Sequence, residues 1–316
     1  MKNQEVNNWP KVTIVFPNWN GKNDTLECLK SLAKLNYQKN NLEIIIADNG
    51  SNDGSQKAIK QELSKMTGYA NLKLIEIGQN IGAPAALNLA IKSAKQNYDF
   101  IWKLDNDVVV DQNSLLCLVK EAIKEKNIGM VAGTNYYYDQ QTTIWAIGGK
   151  VNLTFGLSRN IGKNKQDQDQ FKKDSTFDYL PGCALLVKKE VIQKIGLLDE
   201  KYFVYYDETD WNIRAKQAGF DLVYIPEAKI WHKASRSTQE GSIFKNYYLT
   251  RNKLLFIKKF NNKKLNIVLP IAAICLVDLP FRWIFRSKIK DLPNILKGAT
   301  WGIIDALSKY PKIRKF

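Results

Sequence analysis

Apolar residues in this chain come in short unbroken runs, separated by stretches with helical spacing. Residues 12–16 (VTIVF) form the first run, and 24–35 follow with Leu26, Leu29 and Leu32 on one helical face. Residues 42–47 (LEIIIA) form a second run, 56–66 a second helix, 72–77 a third run, and a third helix extends through Lys95. Residues 100–104 (FIWKL) make a fourth run. Strands that alternate with helices predict an α/β fold with a mostly parallel central sheet and right-handed crossovers. Ligands of such sheets bind at the carboxyl ends of the strands. The polar clusters at 17–20, 48–55, 78–82 and 105–107 each follow a strand, so they are expected to line one crevice.

After Gly129 the pattern is less regular. Residues 162–175 read as an exposed polar loop, and 187–195 and 207–218 as helices. Residues 244–260 read as amphipathic, with Tyr247 and Tyr248 seven positions before Leu254 and Leu255. Residues 265–277 are mostly apolar, but Pro270 interrupts them and Asp278 and Pro280 end them. That run is short of the roughly 20 residues a transmembrane helix needs, which predicts an interfacial or re-entrant segment.

Charge divides the chain. From Lys245 onward sixteen Lys and Arg face three acids, Asp278, Asp291 and Asp305, so this segment holds +13 of the net +16. The boundary is accordingly drawn at 244/245, between a nearly balanced domain and a basic helical segment. Basic segments bind anionic lipid or nucleic acid, and composition does not choose between them. Cys28, Cys117, Cys183 and Cys275 are scattered with no CxxC pair, which argues against a disulfide framework or a thiolate zinc site and fits a reducing cytosol. Residues 1–8 are polar, so no signal peptide is expected.

The sharpest chemical feature is Asp105-Asn106-Asp107 at the end of an apolar strand. Two carboxylates one residue apart can share a divalent cation, and hard oxygen ligands suit Mn²⁺ or Mg²⁺, which would neutralise a diphosphate. A solvated acidic turn is the bland alternative. Asp48-Asn49 with Ser51 and Asp53 can hydrogen-bond a base edge and ribose, or simply form an Asx-turn with Gly50 and Gly54. Backbone N–H groups of 78–82 precede a helix and can meet a phosphate, although this is neither a Walker A loop nor a dinucleotide fingerprint. Asp207, Glu208 and Asp210 open a helix, where acids are electrostatically favoured; one of them can equally serve as a general base toward an attacking hydroxyl. His232 is the only histidine. Its imidazole can complete the coordination sphere begun by Asp107, and its solitude excludes a multi-histidine zinc site. Residues 181–184 (PGCA) can form a tight turn under a sugar, with Cys183 packed rather than nucleophilic.

In this order and spacing, VTIVFPNWNG (12–21), ADNGSNDGS (47–55), NIGAPAALNLA (80–90), LDNDV (104–108), the segment 179–220, IWHKAS (230–235) and YYLTRNK (247–253) resemble the inverting family 2 glycosyltransferases of the GT-A fold, in particular the rhamnosyltransferase-like branch that builds bacterial surface polysaccharides. The resemblance implies that Pro17, Asn18, Trp19, Asn20, Asp48 and Asn49 hold the nucleoside of a nucleotide-sugar donor, with Trp19 where tyrosine is more usual. It implies that Asn80 and Gly82 lie near the diphosphate or sugar, that Asp105-Asn106-Asp107 is the metal motif, and that His232 is a further metal ligand. Glu208 falls where the family places its base, with Asp207 and Asp210 supporting it. The expected acceptor is a glycan or a lipid-linked sugar. The basic segment would then hold the enzyme on the anionic inner face of the plasma membrane; a helical cap at a dimer interface is the alternative. The rival functions are a sugar nucleotidyltransferase, disfavoured by the missing Gly-rich loop after the first strand, and a nucleic-acid-binding protein, disfavoured by apolar runs within the basic segment.

Overall fold

Four strands alternate with three helices at the start of the chain: β1 (Val12–Asn18), α1 (Lys22–Leu32), β2 (Leu42–Asp48), α2 (Ser55–Leu63), β3 (Asn71–Glu76), α3 (Ala83–Lys92) and β4 (Phe100–Leu104). In the computed structural model these strands pair in parallel in the order β3-β2-β1-β4. All of β2, and all of β1 except Pro17, is buried. Helices cover both faces of such a sheet, which is why its central strands read as unbroken apolar runs. Ile14, Phe16, Ile44, Ile46 and Trp102 pack with Cys28, Leu29 and Leu32 of α1 on one face. Val15, Ile45, Ala47 and Ile101 pack with Ala86, Leu87 and Ala90 of α3 on the other. Each fully buried large side chain contributes about 1.5–3 kcal/mol.

The structure describes residues 9–95, 97–171, 177–233, 241–261, 268–286, 291–308 and 313–314. Of the segments singled out above, 1–8, 172–175, 234–235 and 265–267 lie outside the described residues.

The chain continues through β5 (Val108–Val110), α4 (Ser114–Ala122), β6 (Ile128–Tyr137), β7 (Gln140–Ala146), β8 (Gly148–Asn152), β9 (Leu157–Ile161), β10 (Ala184–Lys188), α5 (Lys189–Ile195), α6 (Asp207–Gln217) and β11 (Asp221–His232). The main sheet runs β3-β2-β1-β4-β10-β6-β11-β5, with β7 paired to β6. Beyond β4 the sheet is mixed: β10 is antiparallel to both β4 and β6, and β11 is parallel to β6 but antiparallel to β5. Residues 187–195, expected to be a helix, are divided, because 184–188 is a short apolar run that inserts between two strands. Periodicity alone does not separate such a run from a buried helix. The insertion sets Gly182 and Cys183 beside the end of β4, where the Asp105 N–H donates to the Cys183 carbonyl at 2.9 Å.

Four helices follow: α7 (Ile243–Phe260), α8 (Val268–Ala273), α9 (Leu279–Arg286) and α10 (Leu292–Leu307). A π turn, Ile274–Asp278, joins α8 to α9, so helical structure is unbroken from 268 to 286. Asp278 and Pro280, which end the apolar run, lie within this helical structure. The wider π turn accommodates the missing N–H and the ring of Pro280, and Lys253 of α7 pairs with Asp278 at 2.8 Å. Helices α7 and α10 approach closely at Gly298 and Gly302, where a Cβ would meet the Ile243 and Tyr247 carbonyl oxygens at 2.6 and 2.7 Å. Helix α7 also packs on the preceding domain: Tyr248 stacks on Phe203, and Lys259 pairs with Asp210 at 2.6 Å. The boundary at 244/245 thus passes between residues in direct contact.

Candidate active site

The four polar clusters after β1–β4 are joined by hydrogen bonds. Asn18, fully buried, donates to Asp48 Oδ2 at 2.7 Å and Ser51 Oγ at 3.0 Å, and its Oδ1 accepts from Thr25 Oγ1 and Asn106 Nδ2. Asp48 accepts from the Ser51 N–H and from Gln56 Nε2 as well. Asn49 donates to Asn80 Oδ1 at 3.0 Å and accepts from the Ile81 N–H at 2.9 Å; Asn80 Oδ1 also accepts from the Gly82 N–H. At Gly50 (φ 80°) the second loop touches the Gln79 backbone, and a Cβ there would lie 2.6 Å from Gln79 Cα. Hydrogen bonds of the Asn18, Asp48, Asn49 and Asn80 side chains thus shape the crevice. Trp19 and Asn20 are exposed beside it, and the Asn20 amide is held by Ser51 Oγ. Pro17 lies half-buried at the end of β1.

Strands β4 and β11 bring Asp105, Asp107 and His232 together, with one ligand atom from each within 4.8 Å of the others. His232 Nε2 lies 3.2 Å from Asp107 Oδ1 and 3.9 Å from Asp105 Oδ2. The ring is buried edge-on against Trp145 at 4.6 Å between centroids. Burial pushes the imidazole toward neutrality, but the Asp107 hydrogen bond and the charges of Asp107 and Asp105 prevail and raise its pKa. Burial likewise opposes ionisation of Asp107, yet the His232 bond holds that carboxyl below its ordinary range. Two carboxylates and one imidazole nitrogen converging in this way fit a hard to borderline divalent cation such as Mn²⁺ or Mg²⁺. Asn106, between the two acids, points back to Thr25 and Asn18.

Lys103 was not singled out from the sequence. Its side chain is buried, and its Nζ donates to Asp105 Oδ1 at 2.7 Å and to the Gly182 carbonyl at 2.5 Å. Burial works against the ammonium charge, but Asp105, Glu208 and Asp207 outweigh it and raise the pKa. The available signal was a lysine within an otherwise apolar strand.

Helix α6 begins at Asp207, and the three acids of its first turn have different surroundings. Asp210 is fully buried and saturated: its oxygens take Arg214 Nε at 2.6 Å, Lys259 Nζ at 2.6 Å and Tyr202 Oη at 3.3 Å. Asp207 is buried, and burial together with the Glu208 charge and hydrogen bond pushes its carboxyl well above the usual range. Glu208 is half-buried and lies against Gly182, where an added Cβ would meet its Cγ at 2.5 Å. Cys183, next to Gly182, has its thiol pushed well up by burial and donates to Asn135 Oδ1 at 2.8 Å, so it packs and does not attack.

The family model for glycosyl transferase family 2 matches residues 13–196. The N-acetylglucosaminyl-diphospho-decaprenol L-rhamnosyltransferase of Mycobacterium tuberculosis is 26% identical over 216 residues, covering 62% of this chain and 68% of that protein. Among solved structures, the mannosyltransferase PcManGT of Pyrobaculum calidifontis, in complex with GDP-Man and Mn²⁺, superposes with a TM-score of 0.60 at 16% identity, covering 96% of this chain and 78% of that one. GalNAc-T7 with UDP, GalNAc and Mn²⁺ superposes with a TM-score of 0.66 at 15% identity, covering 96% and 59%. These likenesses identify the fold as GT-A.

Proposed function

The chain belongs to glycosyl transferase family 2, and from that premise we propose that it is an inverting enzyme moving a sugar from a UDP- or dTDP-linked donor to a glycan or lipid-linked acceptor in cell-surface polysaccharide synthesis. One observation carries this reading: the Gly182-Cys183 peptide touches both the metal cluster, through the Asp105 N–H, and Glu208, through Gly182. A donor diphosphate and an acceptor hydroxyl would meet across that peptide. Glu208 takes the hydroxyl proton as the acceptor oxygen bonds to the anomeric carbon and the bond to the β-phosphate oxygen breaks. Asp105, Asp107 and His232 would hold a Mn²⁺ or Mg²⁺ ion, which would supply charge neutralisation for the departing diphosphate. Asp207, hydrogen-bonded to Glu208, orients it, and Asp210 anchors the helix. Trp19 offers an exposed face for stacking a base. The rhamnosyltransferase relative makes dTDP-rhamnose the first donor to try. A panel of sugar nucleotides with Mn²⁺, scored by nucleotide release, tests this reading; no release from any UDP- or dTDP-sugar would reject it.

Gly182→Ala separates positioning from donor binding. The new methyl would press on Glu208 Cγ and Cβ, at 2.5 and 2.7 Å before any adjustment. A base displaced by about an ångström costs on the order of 10²-fold in rate. Turnover should therefore fall steeply while the calorimetric donor Kd stays within about threefold; equal losses in both would point to general disruption of the crevice.

The same reading places the enzyme on the anionic inner face of the membrane. No described helix is long and apolar enough to cross a bilayer. On the 268–286 helical run Val277, Phe281 and Ile284 fall on one face and are 66%, 46% and 62% exposed. Ile304 of α10 is 57% exposed. Such side chains beside a basic sequence suit an interfacial contact, in which each Lys or Arg adds about 1 kcal/mol. The full chain should float with phosphatidylglycerol vesicles at low salt, and Val277→Asp with Ile284→Asp should abolish flotation. A chain that stays in solution, or that shifts an oligonucleotide instead, overturns this part of the proposal.

A further inference from the structure

The segment leading into α6 has an unusual backbone. Phe203, Tyr205 and Tyr206 adopt φ values of 64°, 63° and 70°, a left-handed region that bulky side chains avoid. Three such residues within four positions persist only where surrounding contacts over-determine them. Those contacts come from α7. The side chain of Asn252, fully buried, donates through Nδ2 to the carbonyl oxygens of Tyr202 at 2.8 Å, Val204 at 2.6 Å and Tyr205 at 3.1 Å. Its Oδ1 accepts from Arg251 Nη1 at 2.6 Å, and the same guanidinium donates to the Lys201 carbonyl at 2.8 Å. One amide thus gathers three carbonyls that would otherwise turn away from one another, and the neighbouring arginine fixes which end of that amide faces them.

This turn meets two parts of the active site. On one side the Ala83 N–H donates to the Phe203 carbonyl at 2.8 Å, and Gly82 (φ 92°) lies so close that a Cβ would fall 2.7 Å from the Phe203 ring. On the other side the Tyr206 carbonyl accepts the Asp210 N–H at 2.8 Å, which closes the first turn of α6 and so fixes where Glu208 leaves the backbone. We propose that Asn252 is a positioning residue for sugar transfer: by clamping the strained turn 202–206 it aims Glu208 at the acceptor, and it makes α7 part of the catalytic unit. The proposal rests on the reading of Glu208 as the base, and it assigns to Asn252 no contact with either substrate.

Asn252→Asp tests it. The isosteric carboxylate keeps the Arg251 bond but donates nothing, and it faces three carbonyl oxygens. With dTDP-rhamnose and with UDP-N-acetylglucosamine, each with Mn²⁺, nucleotide release should fall on the order of 10²-fold while donor Kd stays within about threefold. A residue that acts through Glu208 is non-additive with it, so Asn252→Asp combined with Glu208→Gln should be no slower than Glu208→Gln alone. Release within twofold of the unaltered chain, or a double variant that shows the product of the two single losses, overturns the proposal. Asn252→Ser, which retains one donor, should lie between and takes over the test if the aspartate variant does not fold. Amide exchange in the full chain without donor or metal decides the matter where neither donor turns over: 203–208 should exchange faster in the variant, and unchanged exchange overturns the clamp. Wild-type release by Glu208→Gln would instead reject Glu208 as the base, and the clamp then stands or falls on the exchange result alone.

Discussion

Glu208→Gln should lower turnover by roughly 10²–10⁴-fold, the usual cost of losing a general base, with donor affinity nearly unchanged. The amide has the size of the carboxylate and can keep the contacts with Gly182 and Asp207. What it loses is the capacity to accept the acceptor proton. The neighbouring acids are poor substitutes. Asp210 has both oxygens committed to Arg214, Lys259 and Tyr202. Burial and the Glu208 charge both push the Asp207 carboxyl well above its ordinary range, toward the form that accepts no proton. Asp207→Asn should accordingly cost much less than Glu208→Gln. The measurement is single-turnover transfer beside calorimetric donor binding. Near-normal transfer by Glu208→Gln with a large loss in Asp207→Asn would exchange the two roles.

The elements that the sequence announced best are those whose burial is symmetrical. β1, β2 and β4 are covered on both faces, so their apolar runs carry their own signature, and the acids at the end of β4 inherit their position from it. The crevice was legible for the same reason, since each polar cluster follows a strand. The wiring inside it was not. Nothing in the spacing says that Asn18 bonds Asp48 or that Asn49 bonds Asn80, because those partners are 30 or more residues apart. β10 escaped because four apolar residues, 184–187, between a turn and a helix do not by themselves mark a strand. Pro280 follows the end of the apolar run yet lies inside a continuous helix, because a π turn precedes it. Asn252 lies in a motif whose resemblance was evident, yet its task is set by three carbonyls some fifty residues earlier in the chain, and only tertiary structure supplies those.

Asp107→Ala should abolish Mn²⁺-dependent donor binding. Asp107 is the better buried of the two motif carboxylates, with 17% of its side chain exposed against 35% for Asp105, and it is the one hydrogen-bonded to His232. Its removal takes away one ligand and also the partner that orients the imidazole, so two of three donor atoms are disturbed by one substitution. Loss of an outer-shell partner alone typically weakens a metal site by roughly 10–100-fold, and loss of a ligand should exceed that. Asp105 cannot compensate, because its Oδ1 is already held by Lys103 at 2.7 Å. Without the cation the donor diphosphate would face Asp105 and Glu208, and Lys103 is committed to Asp105 and the Gly182 carbonyl. Titration of Mn²⁺ into the variant, followed by UDP or dTDP, is the measurement: both heats should vanish at concentrations that saturate the unaltered chain. Undiminished nucleotide binding with Mn²⁺ present would show that Asp107 is not a ligand, and the cluster would then be a buried ion pair between His232 and its two acids.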